Sequence, residues 1–98
     1  MITVDSAEKL GLLVRATRRS QRLRLDDLAG SAGVGPVFVR DVERGKPTVQ
    51  LGRALKLLRE LGIGLYVDPP TDISAEVQRL EQKGIRRLPR RRQRTASP

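Results

Sequence analysis

The chain has 98 residues and contains neither Cys nor His, which excludes disulfide staples and the usual zinc sites. Its 20 Lys and Arg outnumber 11 Asp and Glu, a formal net charge of +9 that suits a polyanionic partner such as nucleic acid. One Phe, one Tyr and no Trp leave almost no aromatic surface for base stacking, which argues against single-strand and RNA-binding modules.

The N-terminal "MITVDSAEKL" lacks the basic-then-apolar layout of a signal peptide, and no apolar run is long enough to span a bilayer. Ser6 reads as an N-cap, with Glu8 in the first turn, where negative charge is favourable. Leu10, Leu13, Val14 and Thr17 follow at helical spacing, so a first helix is expected over about 7–21. Arg15, Arg18, Arg19 and Arg22 crowd its second half. A shorter helix is expected over about 25–31, with Asp26 and Asp27 in its first turn and Leu25, Leu28 and Ala29 facing a core.

"GVGPVFVRDVERGKP", residues 33–47, comes next. Gly33 suits a helix C-terminus, and Val34 can plug the core beneath the turn. Gly35 is a tolerable N-cap, Pro36 fits the first helical position, and Gly45 ends the helix. Phe38, Val39 and Val42 make its apolar face, while Val37, Arg40, Asp41 and Arg44 point outward. Two helices joined by a tight Gly-containing turn make a helix-turn-helix.

Thr48 is expected to cap a helix over about 49–61, with Leu51, Ala54, Leu55, Leu58 and Leu61 facing inward or lying at a dimer seam. "IGLYVD", 63–68, then reads as a short strand closed by two prolines. A single strand cannot satisfy its own backbone, so Ile63, Leu65, Tyr66 and Val67 are expected to pair with a second copy across a two-fold axis. Oligomerisation also suits so small a domain, which buries only about 60 % of its unfolded surface. A marginal helix or linker occupies about 75–83, within 71–84. Residues 85–98, "IRRLPRRRQRTASP", hold six Arg and no acid and read as a disordered tail, which leaves +3 on residues 1–84. The tail could contact DNA nonspecifically, contact a partner protein, or be a solvated end.

The stretch "LGLLVRATRRSQRLRLDDLAGSAGVGPVFVRDVERGKP" resembles the phage repressor/Cro-type DNA-binding domain, the XRE family. Arg18, Leu28-Ala29, Ala32-Gly33-Val34, Val39, Val42, Glu43, Gly45 and Lys46 carry the likeness. The continuation "TVQLGRALKLLRELGIGLYVDPP", a leucine-rich helix followed at once by a strand, resembles the HipB-like antitoxins. The resemblance implies a mainly α, five-helix repressor-like domain over 1–70 with a C-terminal strand pairing across a homodimer, then the basic tail. It implies a cytoplasmic, nucleoid-associated bacterial repressor that reads a palindromic operator. It further implies an antitoxin that binds a HipA-like kinase toxin and autoregulates its operon.

Two departures stand out. The second helix of the family begins Thr-Gln or Ser-Gln, whereas here the pair is Arg24-Leu25, which replaces an amide contact to the DNA backbone by a charge. The recognition helix opens on Gly35, Pro36 and Val37 in place of polar residues. Arg40 is then the foremost base reader, able to bond bidentately to guanine, with Pro36 and Val37 near a thymine methyl. Arg24, Gly35, Arg44 and Lys46 are candidate phosphate contacts, and Asp41 is expected to orient Arg40 or Arg44. Arg18 and Glu43 match a partly buried structural ion pair. The bland alternative for each of these charges is a solvated surface residue. No nucleophile–base pair, phosphate loop or metal-ligand set occurs, so neither enzyme activity nor a cofactor is expected. Two other readings stand beside the antitoxin: a stand-alone phage or mobile-element repressor, and a protein-interaction module that no longer reads DNA.

Overall fold

The Ser6 hydroxyl accepts a hydrogen bond from the Lys9 N–H at 3.0 Å and starts helix α1, Ala7–Ser20. The structure, a computed structural model, describes residues 1–84; the expected Arg-rich tail, 85–98, lies outside the described residues. Helix α2 spans Leu25–Ala32, α3 spans Pro36–Glu43 and α4 spans Leu51–Leu61.

All four helices end in the same way. The N–H just after the turning residue reaches back across the last turn, and the turning residue's own N–H bonds one carbonyl later. At α4 these are Ile63 to Leu58 at 2.9 Å and Gly62 to Arg59 at 3.0 Å. Gly33 and Gly45 turn α2 and α3 through the equivalent pairs of bonds. At α1 the same turning position is held by Arg22, with φ at 59°.

Val14, Leu28, Ala29, Val39, Val42, Leu57, Leu58 and Leu61 form one core. Leu10, Leu23, Leu25, Val34, Phe38 and Ile63 pack against it. Helix α1 lies on α3 and α4, and α2 also lies on α3 and α4. The α1–α3 approach needs Gly11, because a Cβ there would run into the backbone oxygens of Val42 and Glu43. Gly45 is equally constrained: its φ is 81°, and a Cβ would lie 2.7 Å from the Glu8 Cα.

Three expectations come out differently in the single chain. Thr48 does not cap α4, which begins at Leu51 after an extended Gln50, with Thr48 in the preceding turn. Leu51 and Leu55 are exposed, and Leu57 is fully buried in their place. The helix is leucine-rich on two overlapping stripes, and the buried one is Ala54, Leu57, Leu58 and Leu61. Finally, residues 63–68 meet no partner backbone in the single chain, and no strand occurs among the described residues. A lone extended segment lacks the second backbone that defines a sheet.

The chain divides into two compact units, Met1–Tyr66 and Val67 onward. The second unit contains α5, Ser74–Gln82, with no buried residue. The Asp72 carboxylate accepts the Ser74 N–H at 3.0 Å at the start of α5, a bond that lowers its pKa. Among the described residues no helix is long and apolar enough to cross a membrane.

Candidate nucleic-acid interface

Helix α3 presents two unlike faces. Val39 and Val42 are buried against α1 and α2, with Phe38 half-buried beside them. Pro36, Val37, Arg40 and Arg44 lie on the solvent side, and Val37 is 63 % exposed. No side chain caps the start of α3, and Pro36 has no N–H, so Val37 and Phe38 provide its free donors beside the exposed Gly35. An apolar leading end therefore precedes a guanidinium one turn on. Arg40 makes no ion pair within 4.0 Å among the described residues.

The C-terminal half of α3 is anchored. Arg18 Nε donates to Glu43 Oε2 at 2.6 Å and Arg18 Nη2 to Glu43 Oε1 at 3.0 Å, a bidentate pair. The two side chains are 15 % and 6 % exposed. Arg18 Nη1 also donates to the Leu23 carbonyl oxygen at 3.0 Å. One side chain thus ties α1, α3 and the α1–α2 turn together. The bond to Glu43 raises the Arg18 pKa above its ordinary value, outweighing the opposing effect of partial burial.

Asp41 pairs with neither Arg40 nor Arg44; Lys46 Nζ lies 3.6 Å from its Oδ2. That corrects the expected orienting role and gives Lys46 a carboxylate partner just past the end of α3. Arg24 occupies the extended position before α2, and Arg44 ends α3; both are exposed. Ile63 is half-buried against the core, while Leu65, Tyr66 and Val67 are exposed. The segment expected to pair is therefore divided, with its first residue belonging to the packed body.

Gly11, Gln21, Leu57 and the turning role of Arg22 emerge only in the structure. Gln21 Nε2 donates to the Leu61 carbonyl oxygen at 2.9 Å and pins the end of α1 to the end of α4. A glycine inside a helical pattern, three residues before Val14, was the available signal for Gly11. Spacing of three, four and seven residues from Ala54 was the signal for Leu57. Nothing local marks Arg22, since a turn of that shape ordinarily carries Gly.

No family model matches the chain. It is 49 % identical over 67 residues to the HTH-type transcriptional regulator y4mF of Sinorhizobium fredii, a match covering 68 % of this chain and 88 % of that protein. Among solved structures, the HipA-HipB-O2-O3 complex and the HipB-O4 20mer complex each contain a chain of the same fold. Both align with a TM-score of 0.66 and 15 % identity, over 72 % of this chain and 100 % of that one. The clp gene regulator ClgR from C. glutamicum aligns with a TM-score of 0.54 and 21 % identity, over 88 % of this chain and 100 % of its own.

Proposed function

The chain belongs to the HTH-type transcriptional regulators, and from that premise we propose that it is a homodimeric, sequence-specific DNA-binding repressor of the phage repressor/Cro type. The observation that carries the reading is the division of α3, with Val39 and Val42 locked in the core while Pro36, Val37 and Arg40 face solvent. Arg40 is the base reader, with Val37 and Pro36 against a thymine methyl. Arg24, Arg44, Lys46 and the free N–H groups after Gly35 hold phosphates. The Arg18–Glu43 pair keeps the helix at a fixed angle.

Two copies place their α3 helices in successive major grooves, about one helical turn apart. Leu65, Tyr66 and Val67, exposed in the single chain, pair with their counterparts in the second copy, and exposed Leu51 and Leu55 lie at the seam. The fold shared with HipB supports the finer role: an antitoxin that binds a HipA-like kinase and represses its own operon. The likeness to ClgR, which extends over more of the chain, supports a second reading as a stand-alone gene regulator.

A reporter driven by the DNA upstream of the gene tests repression. Co-expressing the chain is expected to silence it and Arg40→Ala to release it. Full expression in the presence of the wild-type chain would sink the proposal. Co-purification with a kinase-like protein encoded beside the gene separates the antitoxin from the stand-alone regulator.

A further inference from the structure

Arg22 is the sole non-glycine residue at positive φ among the described residues. The three helix ends built on the same hydrogen-bond pattern, at Gly33, Gly45 and Gly62, use glycine there, which takes that conformation without a Cβ clash. The residues on either side of Arg22 are fixed. Gln21 is bound to the Leu61 carbonyl oxygen at 2.9 Å, and the Leu23 carbonyl oxygen receives the Arg18 guanidinium at 3.0 Å. Through Arg18 and Glu43 that turn is joined directly to α3. Arg22 is exposed, and so is Arg24 two residues on, with half-buried Leu23 between them. Asp26 and Asp27 follow in the first turn of α2, yet neither lies within 4.0 Å of an Arg22 or Arg24 nitrogen.

A strained residue persists where its surroundings over-determine it, and such sites concentrate where function needs them. We propose that Arg22 is a phosphate-binding residue of the DNA interface, held outward at the expense of backbone strain on a turn that the Arg18–Glu43 clamp registers against α3. The inference rests on the DNA-binding reading and extends it to a side chain outside the helix-turn-helix. Arg22 acts on the duplex backbone and not on base edges, so its contribution is independent of sequence and sensitive to salt.

Arg22→Gly separates strain from binding, because the two respond in opposite directions. Titrate the full-length wild type, Arg22→Gly and Arg22→Lys against the DNA upstream of the gene and an unrelated duplex of equal length, across a salt series. Arg22→Gly is expected to unfold at the same or a higher temperature than wild type. It is expected to bind both duplexes about five- to tenfold more weakly at 0.1 M salt, with a log–log salt slope shallower by about 0.9. Arg22→Lys keeps the charge and restores the slope. If the wild type binds DNA and Arg22→Gly keeps its full slope, the inference fails alone; an Arg22→Lys slope as shallow as that of Arg22→Gly also overturns it. If the wild type binds neither duplex, the DNA-binding reading fails with it.

Discussion

Arg18 and Glu43 show how much one side-chain pair can organise. A carboxylate 6 % exposed would be unfavourable unpaired, yet here both of its oxygens receive guanidinium N–H groups. Removing the cation leaves a desolvated charge, so Arg18→Ala is expected to lower stability by about 3–5 kcal/mol, read as a urea midpoint shift at constant slope. A variant within about 0.5 kcal/mol of wild type would mean the pair is an ordinary surface contact. The raised Arg18 pKa sets the sign of its pH effect: the contribution is complete below the unfolded guanidinium range and is lost only as pH rises through the folded value. Titration of Arg18 therefore adds nothing to pH dependence between acid and mildly alkaline conditions. The pair was legible because Arg18 and Glu43 carry the family resemblance; Arg22 was not, because backbone strain leaves no trace in residue type.

Helices were easier to find than their faces. The Ser6 cap, the Pro36 start and the stops at Gly33, Gly45 and Gly62 mark α1 to α4 directly, since each residue type answers a backbone demand at a helix end. Leu51, Leu55 and Leu57 show the limit. Helical spacing admits two adjoining stripes on α4, and only contact with α1 and α2 selects one. The α1–α3 crossing depends on Gly11 in the same tertiary sense. Alanine there would gain about 1 kcal/mol in helix propensity. Its Cβ would meet backbone that can yield only if α1 and α3 move apart, an overpacking cost of about 1–3 kcal/mol or more. Gly11→Ala is therefore expected to be net destabilising by thermal unfolding, whereas a raised midpoint would show that the crossing is loose. Gly52 offers a control, because nothing lies within 4 Å of a Cβ built there.

At the scale of the molecule, charge and shape divide unevenly. Residues 1–66 carry 12 Lys and Arg against 7 Asp and Glu, net +5; residues 67–84 carry 2 against 4, net −2; the remaining six Arg fall in 85–98. This charge bears on duplex affinity in general, while selectivity belongs to the few groups at the front of α3. Deleting 85–98 is expected to flatten the salt dependence on any duplex by about 0.9 per phosphate contact released, with promoter preference retained. An unchanged slope would assign the tail elsewhere. A pairing strand could not be found in one chain, because sheet hydrogen bonds over 63–68 require a second backbone. The most direct measurement is the affinity ratio between the upstream DNA and a scrambled duplex at fixed salt, for the wild type and Arg40→Ala. The wild type should favour its own DNA by about 10³ or more, and Arg40→Ala should lower that ratio by about 5- to 150-fold while leaving scrambled-duplex affinity nearly unchanged. A wild-type ratio near one, or a ratio that Arg40→Ala leaves intact, would contradict base reading by α3.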